Sequence, residues 1–292
     1  MISDEKQKYD SKGYLLYEGF YTNSLAQSIK EEARRVIHEE DDERKILEKS
    51  GVARSFFSPE NNSDLFYRLN REKNMLRLAK ELLGGEVYTH QTKINIKHAL
   101  IGDVWEWHQD FIFWAKDDGM PAPNVLTAMV FLDDVTEFNG PLMIIPGSHQ
   151  MGMLQETQKA ASNHDKEWNE KYVNTKSYLS ALSADLKYTL GQQEILGMAE
   201  KRGIVSAKGK AGSVLFFHGN LFHASPNNLS PWDRYVYLIT YNRVDNQPDF
   251  PKNPRPAFLA NRDFTPLEAM EMAYPVVSPE VCQPDIQYPI SR

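Results

Sequence analysis

The spacing of apolar and polar residues changes about a third of the way along the 292-residue chain. Residues 24–49 and 65–85 carry apolar side chains at helical intervals, with charged residues between them. The second segment ends in Gly84 and Gly85, a sequence typical of a helix C-terminus. A short aromatic-rich strand is expected at residues 13–21. The first third of the chain is therefore predicted to be mostly helical.

Residues 86–98 alternate instead with the period of a β-strand. One face is expected to carry Val87, Thr89, Gln91, Lys93, Asn95 and Lys97, and the other Tyr88, His90, Thr92, Ile94 and Ile96. The run Gln91-Lys93-Asn95 places three polar side chains in a row. Such a run is either a solvent-facing side or the polar lining of a barrel, and the pattern alone leaves both open.

Four further strands are predicted at residues 124–134, 142–147, 212–220 and 234–242, separated by Gly, Pro, Asn and Asp. Short strands of this spacing indicate an antiparallel sandwich or jelly roll. Residues 151–203 turn polar and helix-prone between two of the strands, as a lid or specificity element would. We therefore expect one domain, residues 1–292, mainly β with flanking helices and a helical insertion.

The composition indicates which classes of binding partner are not expected and which cellular compartment is. The chain has 33 basic and 40 acidic residues, a net charge of −7, and no basic block, so neither nucleic acid nor an anionic membrane is an expected partner. Cys282 is the only cysteine, so no intramolecular disulfide can form, which fits a reducing compartment. No signal peptide and no apolar run of about 18 residues is visible. We expect a cytoplasmic protein.

The stretch "WEWHQDFIFW" places His108 and Asp110 among aromatic residues. On a strand, residues i and i+2 point to the same side, so the pair could chelate one metal, although His-X-Asp alone is a weak signal. Of the eight histidines, His223 follows a predicted strand, and Arg234 comes shortly after it. Two histidines and one carboxylate leave three open positions on a six-coordinate iron(II).

Arg234 has two interpretations. Alone it would be assigned to a surface ion pair, but beside an iron site its guanidinium suits a carboxylate ligand. Iron(II), open coordination positions and a carboxylate anchor together indicate 2-oxoglutarate. Its 2-oxo and C1 carboxylate groups would chelate the iron, its C5 carboxylate would pair with Arg234, and one position would remain for O2.

Several motifs resemble the phytanoyl-CoA dioxygenase superfamily, among them "WHQDFIFW", "DGMP", "NGPLMIIPGSH" and "GSVLFFHGNLFHASPNNLSPWDR". The resemblance runs from about residue 13 to residue 262. Within the superfamily the chain is similar to ectoine hydroxylases and to bacterial hydroxylases of free proline. The stretches "YTHQTKINIK", "GDVWEWHQDFIFW" and "LSADLKY" look closer to the free L-proline trans-4-hydroxylases. The resemblance implies a double-stranded β-helix, a cupin-like jelly roll, with metal and cosubstrate inside.

The resemblance also assigns site residues by position. The iron ligands would be His108, Asp110 and His223, and the cosubstrate residues Arg234, Ser225, Asn95, Lys93 and Trp105. Lys93 departs from the ectoine hydroxylases, which carry arginine there, so one hydrogen-bonding fork is lost. The amino-acid pocket would be lined by Gln91, Trp114 and Arg255. Arg255 would hold the substrate carboxylate, plain core packing remains an equal alternative for Trp114, and His149 receives no catalytic role.

We therefore expect an enzyme that uses Fe(II), 2-oxoglutarate and O2 to hydroxylate a small free amino acid, with the 4-position of L-proline the first choice. An aspartate ligand favours hydroxylation, since related halogenases lack this carboxylate. The alternatives are ectoine, pipecolate, lysine or citrulline as substrate. From other classes they are a non-catalytic metal- or ligand-binding barrel and a zinc hydrolase, which could also use two histidines and an aspartate. A homodimer is compatible with the sequence.

Overall fold

Two antiparallel sheets and a layer of helices make up the fold in the computed structural model, which describes residues 3–40, 43–154 and 186–272 and the backbone of 280–282. The strands are β1 (Tyr14–Glu18), β2 (Lys45–Leu47), β3 (Ala53–Phe57), β4 (Val87–Lys97), β5 (Trp105–His108), β6 (Val125–Phe131), β7 (Leu142–Ile144), β8 (Val205–Ala207), β9 (Val214–His218), β10 (His223–Ser225), β11 (Arg234–Arg243) and β12 (Glu280–Cys282). The large sheet has the order β12-β1-β9-β6-β11-β4-β3-β2, and the small sheet β5-β10-β7-β8. This is a jelly roll, as the sequence predicts.

Helices flank the sheets, and the first four of them cover one face of the large sheet. They are α1 (Asp4–Lys12), α2 (Asn23–Glu39), α3 (Asp64–Leu69), α4 (Lys73–Leu83), α5 (Phe111–Phe113) and α6 (Gln192–Arg202), and a π-helical turn, Trp114–Asp118, continues α5. None of these helices is long and apolar enough to cross a membrane. Helix α1 was not predicted from the sequence.

The large sheet is the middle layer, and it has an apolar core on each side. On the helix side, Ile29 of α2 and Leu78 of α4 pack into one buried cluster with Ile94 of β4. On the other side, Leu238 of β11 belongs to a second cluster that includes Ile144 of the small sheet. The first core exists because α2 and α4 are amphipathic and bury their apolar stripes against the sheet. The second core closes the sandwich around the candidate site.

The two helices predicted in the first third differ from the observed ones. The helix expected over residues 24–49 ends at Glu39, and residues 45–47 form β2 instead. Ile46 is buried there, and β2 pairs with β3, so tertiary pairing overrides the local helical pattern.

The segment 65–85 is not one helix but parts of two, α3 and α4. The Glu72 carboxylate accepts hydrogen bonds from the backbone N–H groups of Asn74 (3.0 Å) and Met75 (2.9 Å), and therefore starts a new helix. Asn70, just before it, accepts a 2.6 Å bond from the Tyr237 hydroxyl. The predicted C-terminus is confirmed, because Gly84 adopts the left-handed conformation that ends α4.

A β-bulge interrupts the alternation predicted for β4. Gln91 pairs with Thr240 and Thr89 pairs with Tyr241, so His90 is an extra residue in the strand. One extra residue reverses which side chains face which way. Val87 therefore packs in the helix-side core with Ile94, and the expectation that Val87 shares a face with Gln91 is wrong.

The insertion predicted at residues 151–203 is described only at its ends. The stretch 155–185 lies outside the described residues, as does the first half of the motif "LSADLKY". The expected helical character is seen in α6, whose Met198 packs with Ile145 and Phe222.

Candidate active site

Strand pairing brings the first two candidate ligands together. His108 at the end of β5 lies directly opposite His223 at the start of β10, and their ring centroids are 4.1 Å apart. Asp110 does not lie on the strand, as the sequence analysis assumed, because β5 ends at His108 and Asp110 takes a helical conformation at the start of α5. Its Oδ1 atom nevertheless lies 3.5 Å from Nε2 of His108 and 3.7 Å from Nε2 of His223.

The hydrogen bonds behind the imidazoles orient them for metal binding. Nδ1 of His108 is 2.6 Å from the Glu106 carbonyl oxygen, and Nδ1 of His223 is 2.9 Å from the Leu221 carbonyl oxygen. A carbonyl can only accept, so Nδ1 carries a proton in each ring, and in the neutral form of the ring the Nε2 lone pair is available to a metal. A backbone carbonyl behind the other nitrogen is the usual support of a histidine ligand.

Charge also favours a cation between these side chains. Burial lowers the pKa of His223 to about 4, so the ring is neutral near pH 7. Burial by itself raises the pKa of Asp110, but His223, His108 and Lys93 outweigh it and hold that pKa well below its ordinary value. Two imidazoles and one carboxylate, with potential ligand atoms all within 4.8 Å of one another, fit an iron(II) ion with open positions.

All the site residues predicted from the sequence line one cavity between the two sheets. They are Gln91, Lys93, Asn95, Trp105, His108, Asp110, Trp114, His223, Ser225, Arg234 and Arg255. The polar run on β4 therefore faces the cavity rather than bulk solvent, as the second of its two interpretations predicts. The candidate metal ligands come from the small sheet and the turn after β5, whereas Gln91, Lys93, Asn95 and Arg234 come from the large sheet.

Arg234 is a buried cation at the start of β11, with only 5% of its surface exposed. Its Nη2 donates to the Gly140 carbonyl oxygen at 2.7 Å, and its Nε to that of Asn139 at 3.4 Å. No carboxylate within the described parts of the chain forms an ion pair with it. Burial lowers its pKa to about 10, so it remains charged at neutral pH. A buried guanidinium that lines a cavity and has no carboxylate partner among the described residues is suited to an anionic ligand.

Ser225 and Asn95 flank this part of the cavity. The Ser225 hydroxyl donates to the Gly140 carbonyl oxygen at 2.8 Å, so it shares an acceptor with Arg234. The Asn95 amide oxygen accepts from the Ser55 hydroxyl at 2.7 Å. That bond uses the acceptor of Asn95, and the NH2 donors remain on the other side of the amide.

Lys97 also lines the cavity, but the sequence analysis gave it no role. It is 2% exposed and pairs with Arg234 across β4 and β11. Its Nζ donates to the carbonyl oxygens of Asp103 (2.6 Å), Ser225 (3.3 Å) and Pro226. Burial, with Arg234 nearby, lowers the pKa of Lys97 to about 6. Because its Nζ atom contacts backbone carbonyl oxygens before β5 and after β10, Lys97 fastens the loops behind Arg234.

Trp105 forms a wall of the cavity and has a cationic neighbour that the sequence analysis missed. The guanidinium carbon of Arg54 lies 3.7 Å from the centroid of the Trp105 ring, and its Nη1 pairs with Glu48 at 2.9 Å. Arg54 also donates to the carbonyl oxygen of Val104, next to Trp105. A guanidinium fixed over an indole face restricts the orientation of the ring.

Gln91, Trp114 and Arg255 line the cavity beside the bulge of β4. Gln91 donates from Nε2 to the Leu259 carbonyl oxygen at 2.6 Å. Trp114 is buried against Phe111 and Met120, so it packs in a core and lines the cavity at once. Arg255 forms a two-point ion pair with Asp118, from Nε at 2.8 Å and from Nη2 at 2.6 Å.

The residues that the sequence analysis set aside lie elsewhere. His149 does not line the cavity; its Nε2 is 3.0 Å from the Asp10 carbonyl oxygen, and its ring is 5.0 Å from that of His218. The partners Asp118 and His90 were missed as well. Asp118 belongs to the motif "DGMP", which was noted only as part of a resemblance.

Comparison with known proteins relates the chain to one family. Residues 9–236 match the phytanoyl-CoA dioxygenase (PhyH) family. The chain is 35% identical over 266 residues to the L-proline trans-4-hydroxylase of Streptomyces griseoviridis, covering 91% of this chain and 95% of that protein. It is 32% identical over 272 residues to the ectoine dioxygenase of Nocardia farcinica, covering 91% and 87%.

A solved structure shares the fold over most of the chain. EctD from S. alaskensis, crystallised with 2-oxoglutarate and 5-hydroxyectoine, superposes with a TM-score of 0.76 at 27% identity, over 93% of this chain and 88% of that one. The same protein has been solved with bound Fe. Because the family match spans residues 9–236 and two relatives are more than 30% identical over most of their length, the chain belongs to the phytanoyl-CoA dioxygenase family of 2-oxoglutarate-dependent dioxygenases.

Proposed function

We propose that the protein hydroxylates a small free amino acid with Fe(II), 2-oxoglutarate and O2, and that free L-proline is its first substrate. One observation carries the proposal: a two-histidine, one-carboxylate set shares a cavity with the buried Arg234, which lacks a carboxylate partner in the described chain. A silent metal-binding barrel or a zinc hydrolase would have no use for that buried cation.

His108, Asp110 and His223 would hold the iron, and Arg234 would receive the C5 carboxylate of 2-oxoglutarate. When bound, the iron supplies the oxidative chemistry, in which decarboxylation of 2-oxoglutarate to succinate accompanies transfer of one oxygen atom into a C–H bond. The protein's own contribution is to place the target carbon and to exclude water. Trp105 and Phe113, which line the cavity beside the ligands, perform the second task.

The amino acid would bind at the end of the cavity formed by Gln91, Trp114 and Arg255. The ion pair with Asp118 uses Nε and one N–H of Nη2 of Arg255, which leaves the edge formed by Nη1 and the second N–H of Nη2. A guanidinium edge suits a carboxylate, and the face of an indole suits an apolar ring or a cationic amine. L-proline offers all three groups.

Ectoine is the second candidate. The observation in its favour is the fold of EctD, which covers 93% of this chain at 27% identity. The first candidate rests instead on the 35% identity with an L-proline trans-4-hydroxylase that is matched over 95% of its length. Both small molecules carry a carboxylate, so Arg255 does not discriminate between them.

A substrate panel tests the proposal. The protein is incubated in air with Fe(II), 2-oxoglutarate and one compound at a time: proline, pipecolate, lysine, citrulline and ectoine. We expect a mass gain of one oxygen on proline with an equal amount of succinate. Hydroxylated ectoine with unchanged proline would keep the chemistry and replace the substrate. Failure of every compound to raise succinate above the no-substrate level would refute the proposal.

A further inference from the structure

Asp118 is a fully buried carboxylate that lies outside the cavity but contacts a residue that lines it. Its side chain is 0% exposed, and its two oxygens accept from Nε and Nη2 of Arg255. Burial by itself raises the pKa of Asp118, but His90 and Arg255 outweigh it and keep that pKa below its ordinary value. Asp118 is therefore an anion at neutral pH, permanently paired with the guanidinium.

Two uncommon backbone features, a π-helical turn and a β-bulge, position Asp118 and His90 at this ion pair. The π-helical turn Trp114–Asp118 begins at one cavity residue, Trp114, and ends at Asp118. Gly119 follows with a φ of 77°, and a Cβ atom there would lie 2.1 Å from the Asp249 carbonyl oxygen. π-Helical turns are rare and are frequent at functional sites. The backbone at Asp118 is thus held by a turn and by a contact that admits only glycine.

The second feature is the bulge of β4, which adds His90 to the strand. Nε2 of His90 is 3.3 Å from Oδ2 of Asp118, and Nδ1 is 3.4 Å from the Tyr88 hydroxyl. That hydroxyl accepts a 2.9 Å bond from the Asn242 amide, so its own proton points to Nδ1. Nδ1 is then the acceptor, and Nε2–H donates to Asp118. Burial lowers the pKa of His90, which keeps the ring neutral in this arrangement.

Stability alone does not explain such a network, because buried ion pairs are often no more stable than apolar replacements of similar volume. Geometry offers a better reason. A guanidinium has five N–H groups in one plane, and Asp118 takes two of them along one edge. The plane and the rotation of the Arg255 head are therefore fixed, and the Nη1–Nη2 edge can be presented to a ligand without loss of side-chain entropy.

We infer that Asp118, braced by His90, is a positioning residue for the substrate: it holds Arg255 in one orientation, so that the free guanidinium edge receives the amino-acid carboxylate. The inference rests on the proposed function. It assigns Asp118 and His90, neither of which lines the cavity, to the placement of the carbon that is hydroxylated.

Asp118→Asn tests the inference, since it keeps the shape and removes the charge. We expect KM for the amino acid to rise by about 10- to 100-fold and succinate to exceed product, because a small displacement of substrate costs rate heavily. KM for 2-oxoglutarate should stay within about twofold of wild type. Asp117→Asn is the matched control, since Asp117 pairs with Lys187 and Tyr188 rather than with Arg255, and it should behave like wild type.

Chemical rescue gives a second readout that does not need a charge change at Asp118. Arg255→Gly leaves Asp118 in place, and millimolar guanidinium should restore coupling of succinate to product. Ammonium at the same concentration should restore less, because it cannot form the two parallel bonds of the fork. In the Asp118→Asn, Arg255→Gly double variant guanidinium should have no effect.

The outcomes separate this inference from the proposed function. If wild type hydroxylates no amino acid of the panel, both fall. If wild type is active and Asp118→Asn keeps its KM and coupling, only the inference falls. It also falls if Asp118→Asn raises KM for 2-oxoglutarate as much as KM for the amino acid, which would indicate general disorder. Should Asp118→Asn fail to fold, equal rescue of Arg255→Gly by guanidinium and ammonium, or no rescue by either, would overturn it.

Discussion

Replacement of Arg234 by methionine keeps most of the volume of the side chain and removes a buried charge. In the ligand-free protein Arg234 is 5% exposed and bonds only to backbone carbonyl oxygens within the described residues. A buried charge without a counter-ion is a cost to the folded state. Arg234→Met should therefore fold with a ligand-free melting temperature at or above that of wild type.

Binding of 2-oxoglutarate should be lost in the same variant. Removing one partner of a buried charge pair costs about 3–5 kcal/mol, which corresponds to about two to four decades in Kd. At a concentration of 100 times its Kd, the cosubstrate stabilises wild type by about 2.7 kcal/mol. For a protein of this size, with an unfolding entropy of about 2.1 cal/mol/K per residue, that is a rise in melting temperature of about 4 °C. The variant should show no measurable rise at the same concentration.

The assay is a thermal melt under argon with Fe(II), with and without 2-oxoglutarate. Arg243→Met is the matched control, since Arg243 ends the same strand, β11, but lies partly exposed in a pair with Asp245. It should keep the full shift. An unchanged shift in Arg234→Met would show that the cosubstrate carboxylate is held elsewhere, and Lys93 would be the next residue to replace.

Three further predictions address the ligands, the substrate and the pH dependence. Asp110→Ala and His223→Ala should each abolish succinate formation while far-ultraviolet circular dichroism stays native, because iron does not drive the folding of so large a domain; turnover near the wild-type rate in either would exclude the ligand set. Arg255→Ala should form succinate in excess of hydroxylated amino acid, measured by mass spectrometry of both products, and retained coupling would place the substrate carboxylate elsewhere. Burial lowers the pKa of His218 from the ordinary 6.5 to about 4, so the unfolded chain binds a proton that the folded chain does not, and stability is lost as pH falls through this window. The loss should be on the order of 2 kcal/mol between pH 7 and pH 5 by denaturant unfolding, and His218→Gln should reduce it; an identical pH slope in His218→Gln would contradict this.

The candidate site could be predicted in large part because its residues occupy short, chemically distinctive stretches. His108 and Asp110 are two positions apart, and the polar run on β4 follows the period of a strand. What placed them together is the pairing of β5 with β10, which spacing could suggest but not demonstrate. Asp110 does not lie on the strand as assumed, but the predicted ligand set is unaffected, because the helical turn after His108 brings the Asp110 carboxylate to the side of the His108 ring.

The features of the fold and site that were not predicted depend on contacts between residues distant in the sequence. The end of α2 and the break between α3 and α4 follow from strand pairing at β2 and from the bond between Asn70 and Tyr237. The bulge at His90 left the alternation of apolar and polar residues nearly intact, so periodicity could not reveal it. Asp118 and Arg255 are 137 positions apart, so no local sequence pattern could predict their ion pair.

The candidate metal ligands and the proposed cosubstrate anchor belong to different layers of the sandwich. His108 and His223 lie on the small sheet, whereas Arg234 lies on the large one. A cosubstrate that binds both the iron and Arg234 would act as a removable cross-link between the two sheets. Separation of the layers would then require breaking a metal bond or an ion pair, so the amide protons of β5 and β10 should exchange more slowly with both ligands than with iron alone. Dissociation of succinate, which keeps the carboxylate that pairs with Arg234, would remove the cross-link at the end of each turnover.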